Sequence, residues 1–199
     1  MKKFATLVIL SGALLALTSC FLTASFQPDG VDPKIKRYLS YNIWYETPGN
    51  VWSTNYKTGS VIYAGTPVTN VRIGTQRGHK LIAFNVPTLN NAEFIIHYTE
   101  RHHGSFPFAE FKKRMFTTKT FVKLTKGFTK AELDAIKSPR PYICKEMSKK
   151  AAIMAWGYPP EISTPSTKLN TWKYWINRYR TVLVTFDLNG KAVNEVQPL

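Results

Sequence analysis

Apolar positions recur with two different periods along this chain, and the change of period divides it. From Tyr41 to Tyr98, short runs of aromatic and β-branched residues alternate with turn signals, the pattern of half-buried strands. Pro48-Gly49-Asn50 separates Ile43-Trp44-Tyr45 from Val51-Trp52; Thr58-Gly59 precedes Val61-Ile62-Tyr63, and Gly65-Thr66-Pro67 precedes Val68 to Ile73. Leu81 to Phe84 and Phe94 to Tyr98 follow, linked by a loop at Pro87 to Asn91. Strands this short and regular predict a small barrel or a strongly bent antiparallel sheet.

After residue 105 the spacing becomes helical. Phe108, Phe111 and Met115 share one side of a helix over 106–115. Thr129-Lys130-Ala131-Glu132 is a capping box, with Phe128 and Leu133 at the two staple positions. That helix is expected to stop near Ser138, before Pro139 and Pro141. A further helix starts at Ser148 and ends at Gly157 ahead of Pro159-Pro160. Three strands are expected next: Trp172 to Trp175, Val182 to Phe186, and Ala192 to Val196. Asn189-Gly190 makes the hairpin between the last two.

The first twenty residues follow neither pattern. Lys2 and Lys3 precede an apolar run from Phe4 to Leu17 that ends in small residues, a secretory signal too short to span a bilayer. Leu17-Thr18-Ser19-Cys20 resembles the bacterial lipobox. The resemblance implies cleavage after residue 19, diacylation of Cys20 and acylation of the new amino terminus, together a durable lipid anchor. Phe21, where an Asp would retain the protein at the inner membrane, implies an outer membrane facing the periplasm. Residues 20–40, with Pro28, Asp29-Gly30, Asp32-Pro33 and three cations, read as a tether.

Charge and cysteines narrow the function. Lys and Arg number 27 against 12 Asp and Glu, a formal +15. An excess of nine positive charges falls between Lys112 and Lys150. For an exported lipoprotein the implied partners are the membrane, an anionic lipid or glycan, or an acidic envelope protein, and not nucleic acid. With Cys20 acylated, Cys144 has no partner for a disulfide, and its apolar neighbours predict a buried structural thiol. His102 and His103 are adjacent, so on a strand they would face opposite ways and share no metal; the usual metal spacings do not occur. No phosphate loop, Gly-x-Ser-x-Gly or nucleotide fingerprint is present. The expectation is therefore no catalytic residue, cofactor or metal. Trp44, Trp52 and Tyr56 are the candidate aromatic binding residues, and Lys112, Lys113 and Arg114 the candidate basic ones.

Two family resemblances complete the reading. Tyr63-Ala64-Gly65-Thr66-Pro67-Val68 is similar to a strand corner of bacterial SH3-like domains, implying such a domain over 41–105. Gly127-Phe128-Thr129, Glu146-Met147-Ser148, Trp156-Gly157-Tyr158-Pro159, Trp172-x-Tyr174, Val184-x-Phe186 and Gly190-x-x-Val193 resemble, in order and spacing, the SmpA/OmlA fold of BamE-type outer-membrane lipoproteins. The Gly-x-x-Val spacing, the Pro-rich helix connection and the added β region depart from that pattern. The resemblance implies an α+β domain over 106–199 and a small non-catalytic lipoprotein of outer-membrane assembly or maintenance. The alternative is a cell-wall hydrolase that an SH3-like domain targets.

Overall fold

A computed structural model describes residues 24–198; the expected export signal and Cys20 lie outside them. The fold is mixed α+β, with a curled sheet and few helices. Its strands are β1 (Ser25–Pro28), β2 (Arg37–Leu39), β3 (Ile43–Tyr45), β4 (Val51–Trp52), β5 (Ser60–Ile62), β6 (Pro67–Gln76), β7 (His79–Val86) and β8 (Ala92–His97). The helices α1 (Glu100–His103) and α2 (Phe108–Met115) lead to β9 (Phe116–Thr117). Next come α3 (Phe121–Leu124), α4 (Lys130–Lys137), α5 (Lys149–Trp156), β10 (Thr171–Trp175) and β11 (Thr181–Thr185).

Seven strands form the main sheet, in the order β4-β8-β7-β6-β2-β9, with β1 also paired to β6. The ladder of β6 with β7 slips between Thr69 and Arg72, where Asn70 adopts φ 50°. That bulge bends β6, and the bend lets β2 pair with its first residues and β1 with its last. The sheet is not wholly antiparallel as expected: β4 runs parallel to β8. β3 pairs with β5 and β10 with β11 in separate two-stranded ribbons.

The tether reading of residues 20–40 fails over 25–39. Ser25–Pro28 and Arg37–Leu39 are sheet strands, and Leu39 is fully buried. The Asp29-Gly30 and Asp32-Pro33 signals shape the turn between two strands rather than a linker. Asp29 locks that turn: its carboxylate accepts from Arg37 at 2.6 Å and from Lys112 at 3.3 Å. Burial works to raise the Asp29 pKa, and the two cations overcome it, holding the carboxyl below its ordinary value.

Two apolar clusters fill the interior. One lies under the main sheet and includes Leu39, Val51, Ile82, Phe84 and Phe94. The other gathers α4, α5, β10 and β11 around Trp156, Trp172 and Tyr174. Phe111 and Met115 of α2 belong to the first cluster, although 106–199 was expected to form the second domain. The spacing of Phe108, Phe111 and Met115 puts them on one side of α2, and the fold decides that this side covers the first cluster.

The capping box forms in full: Glu132 N–H donates to Thr129 Oγ1 at 3.2 Å, and Thr129 N–H to Glu132 Oε2 at 2.8 Å. Ser148 caps α5, and Gly157 follows its last residue with φ 77°. The third C-terminal strand is reduced to isolated bridges, Phe186 with Ala192 and Ile143 with Val196. Residues 192–196 divide their pairing between two partners, so no continuous ladder develops.

Candidate functional site

Three groups of polar or aromatic side chains stand out. The first is a buried junction between the two clusters. Asn42 N–H donates to Met154 O at 2.9 Å, its Nδ2 to Ile136 O at 2.8 Å, and its Oδ1 accepts from Ala64 N–H at 2.7 Å. Asn55, in the left-handed region at φ 54°, accepts from Trp44 N–H at 2.8 Å and donates to Asn42 O and Trp156 O at 3.0 Å each. Lys57 is also fully buried; its Nζ donates to Trp156 O at 2.7 Å and to Asn55 O. Burial pushes its ammonium well below the usual lysine range. The ammonium meets the carbonyl end of α5, where the helix dipole favours a cation. The geometry makes this a clamp between elements: every side-chain bond runs to main chain.

The second group was not anticipated from sequence. Ser53 Oγ lies 2.9 Å from His103 Nε2, and His103 Nδ1 lies 2.6 Å from Glu161 Oε2. Arg114 donates to Glu161 Oε1 at 2.6 Å, its guanidinium stacked over Phe106 and Tyr158. Ser53 Oγ, the His103 ring and the Glu161 carboxylate thus form one connected line, the spatial arrangement of a nucleophile–base–acid triad. Enclosure counts against open chemistry. Ser53 and His103 are buried, Thr99 N–H already donates to Ser53 Oγ at 2.9 Å, and the adjoining cavity is about 10 Å³. That space suits one water rather than an acyl group. The ring of Tyr98 stacks on His103 with centroids 4.8 Å apart, closing the other side. Residues 53, 103 and 161 are far apart in sequence and fit no short motif, so nothing local could have revealed them. His102 and His103 sit on α1, not on a strand, and both are buried.

The third group is an open cleft of about 480 Å³ where β3, β4 and the following loop meet the turn between β10 and β11. It brings the sequence-selected Trp44, Trp52 and Tyr56 together and adds Glu46, Asn50, Asn177, Arg178 and Tyr179. Trp44 is buried, whereas Trp52 is 45% and Tyr179 80% exposed. One side of the Trp52 indole rests against His97, with centroids 5.7 Å apart. Asn177 Oδ1 accepts from the N–H groups of Tyr179 and Arg180, which shapes the turn carrying Arg178 and Tyr179.

The sequence-selected cations do not join this cleft. Lys112 is held by Asp29, Arg114 by Glu161, and Lys113 lies exposed 3.8 Å from Glu110. Three consecutive residues on a helix point about 100° apart, so they cannot form one patch. Cys144 is buried and free, and burial raises its thiol pKa, away from the reactive thiolate. Among the described residues, no three His, Cys, Asp or Glu are grouped to hold a metal ion. No family model matches the chain, and neither a curated protein nor a solved structure matches it.

Proposed function

We propose that this protein is a non-catalytic, lipid-anchored lipoprotein of the bacterial envelope that binds an anionic envelope glycan in the Trp52–Tyr179 cleft. One observation carries the reading: two exposed aromatic rings line the same cleft as Asn50, Asn177, Glu46 and Arg178. Aromatic faces suit the apolar faces of sugar rings, the amides and Glu46 suit hydroxyls, and Arg178 suits a carboxylate or phosphate. The lipobox at Leu17 to Cys20 supports membrane attachment through Cys20, and the net charge of +15 suits anionic surroundings. The succession α4, α5, β10, β11 supports the SmpA/OmlA resemblance, and the curled sheet supports the SH3-like one. Both favour a role in outer-membrane assembly or maintenance, by contact with a glycan or a protein of the envelope.

Titration with acidic and neutral oligosaccharides, followed by tryptophan fluorescence, tests the cleft. Acidic oligosaccharides should bind better, and Trp52→Ala or Tyr179→Ala should weaken binding by about tenfold or more. Binding by neither class, or binding indifferent to both substitutions, would sink the glycan reading. Labelled fatty acid entering the wild-type chain but not Cys20→Ala tests the anchor.

The Ser53–His103–Glu161 geometry favours a second reading, an envelope hydrolase. It requires the enclosure around Ser53 to open. Ser53 Oγ would then attack an acyl carbon, while His103 takes the serine proton and passes it to the leaving group. A fluorophosphonate adduct on Ser53, lost in His103→Ala, would establish it; an unlabelled folded protein leaves the binding reading standing.

A further inference from the structure

The turn between β1 and β2 presents an unusual surface. Val31 and Ile35 are exposed at 36% and 45%, and both line a cleft of about 820 Å³ with Pro28, Pro33, Tyr38 and Val71. Lys34 and Lys36 flank them, exposed and outside every ion pair among the described residues. The turn is preorganised. Val31 N–H donates to Asp29 Oδ1 at 3.4 Å, Lys34 N–H to Asp32 Oδ1 at 2.9 Å, and Ile35 N–H to Asp32 O at 3.0 Å. Arg37 and Lys112 fix Asp29 in turn. The turn therefore offers its apolar groups without an ordering cost at contact.

Position adds the decisive constraint. β1 begins at Ser25, so only residues 21–24 separate it from Cys20. Even fully extended, that stretch reaches about 17 Å. Arg77, exposed in the β6–β7 turn, lies beyond the opposite end of β1, whose Ser25 pairs with Thr75. Cations thus flank β1 at both ends, beside the point where an anchor would enter the membrane.

We infer that the Val31–Lys36 turn is a membrane-contact surface, seated on an anionic phospholipid bilayer with Val31 and Ile35 entering the interfacial layer. Exposed aliphatic side chains beside unpaired lysines match that interface in both of its components, apolar depth and negative surface potential. The inference rests in part on the lipoprotein reading, through the short connection to Cys20. A separable consequence is that β1 lies along the membrane, which sets how the body stands on the bilayer.

Two measurements test it. The chain from residue 20 with Cys20→Ser carries no lipid and retains every described residue. It should bind vesicles of phosphatidylcholine with phosphatidylglycerol, bind phosphatidylcholine alone poorly, and release with added salt. Lys34→Gln with Lys36→Gln should weaken that binding about thirtyfold. Val31→Ser with Ile35→Ser should also weaken it, and Leu188→Ser, elsewhere on the surface, should not. Equal binding by all these variants overturns the inference. In the second measurement, full-length Ile35→Trp is reconstituted in vesicles after its acylation has been checked by mass. Its added emission should shift to the blue and be quenched by brominated acyl chains. No quenching on the acylated protein overturns the inference, as does blue emission without lipid, which would mean that position 35 is already covered by protein. A chain found without acyl groups refutes the anchor alone, and the vesicle series then decides the turn.

Discussion

Lys57 shows how far one residue can depart from its ordinary state. Its amine is surrounded by main-chain carbonyls and the rings of Trp156 and Tyr174, with no carboxylate among its hydrogen-bond partners. Burial lowers its pKa, so below the ordinary lysine value near 10.4 the unfolded chain binds more protons than the folded one. Stability from this group must therefore rise with pH towards that value. Denaturant titrations from neutral to alkaline pH should show the rise in the wild type and a flatter profile in Lys57→Met; parallel profiles would refute it. Trp156 O keeps a donor in the variant, since Asn55 Nδ2 also reaches it at 3.0 Å, so gross misfolding is not expected. In the sequence Lys57 stands in Asn-Tyr-Lys-Thr-Gly, a polar stretch that reads as a surface turn. Its burial follows from α5 and β10 packing on that turn, which are distant in the chain.

At the level of elements, Glu132 couples two helices. One carboxylate oxygen closes the capping box of α4, and the other accepts from Ser148 N–H, the start of α5, at 2.7 Å. Burial works to raise its pKa, and the Ser148 and Thr129 amides outweigh it, so the folded-state value is lowered. The associated stability is present above the ordinary carboxylate pKa of about 4.3 and lost as pH falls through the folded value. Glu132→Gln should cost about 1–3 kcal/mol at neutral pH and reduce the acid sensitivity of unfolding, measurable by denaturation at several pH values. Gly157 terminates α5 under a different constraint. Its φ is 77°, and an added Cβ would lie 2.7 Å from Asn55 Nδ2 and 3.0 Å from Tyr41. Gly157→Ala should therefore lower the melting temperature and disturb the Asn55 clamp, whereas Gly127→Ala, with open space around it, should suffer only the backbone strain. Both helix ends were legible in the sequence, because caps are local. The second bond of Glu132 was not, because it depends on where α5 begins in space.

For the molecule as a whole, the two apolar clusters meet through Asn42 and Asn55. Asn42 ties the entry of β3 to α4 and α5, and Asn55 ties the turn after β4 to the end of α5. Neither half satisfies these buried amides alone, so the body should unfold in one cooperative step. Asn42→Ala should lower that single transition by about 1–3 kcal/mol without splitting it. Two separated calorimetric transitions would show instead that the halves are independent domains. The Trp52–Tyr179 cleft depends on the same junction, since one wall comes from each side of it.

What the sequence determined by itself is whatever local physics decides. The capping box, the helix stops at proline and glycine, the strand runs and the α+β class all follow from neighbours within a few residues. The tertiary structure decided which faces meet. It drew residues 25–39 into the sheet because the bulged β6 offers pairing groups on both sides of the bend. It placed Trp44, Trp52 and Tyr56 beside a turn more than a hundred residues away, and dispersed Lys112, Lys113 and Arg114 around a helix. It also assembled Ser53, His103 and Glu161 from three separate segments. Contacts between distant segments depend on how the chain closes on itself, and no periodicity or short motif records that closure.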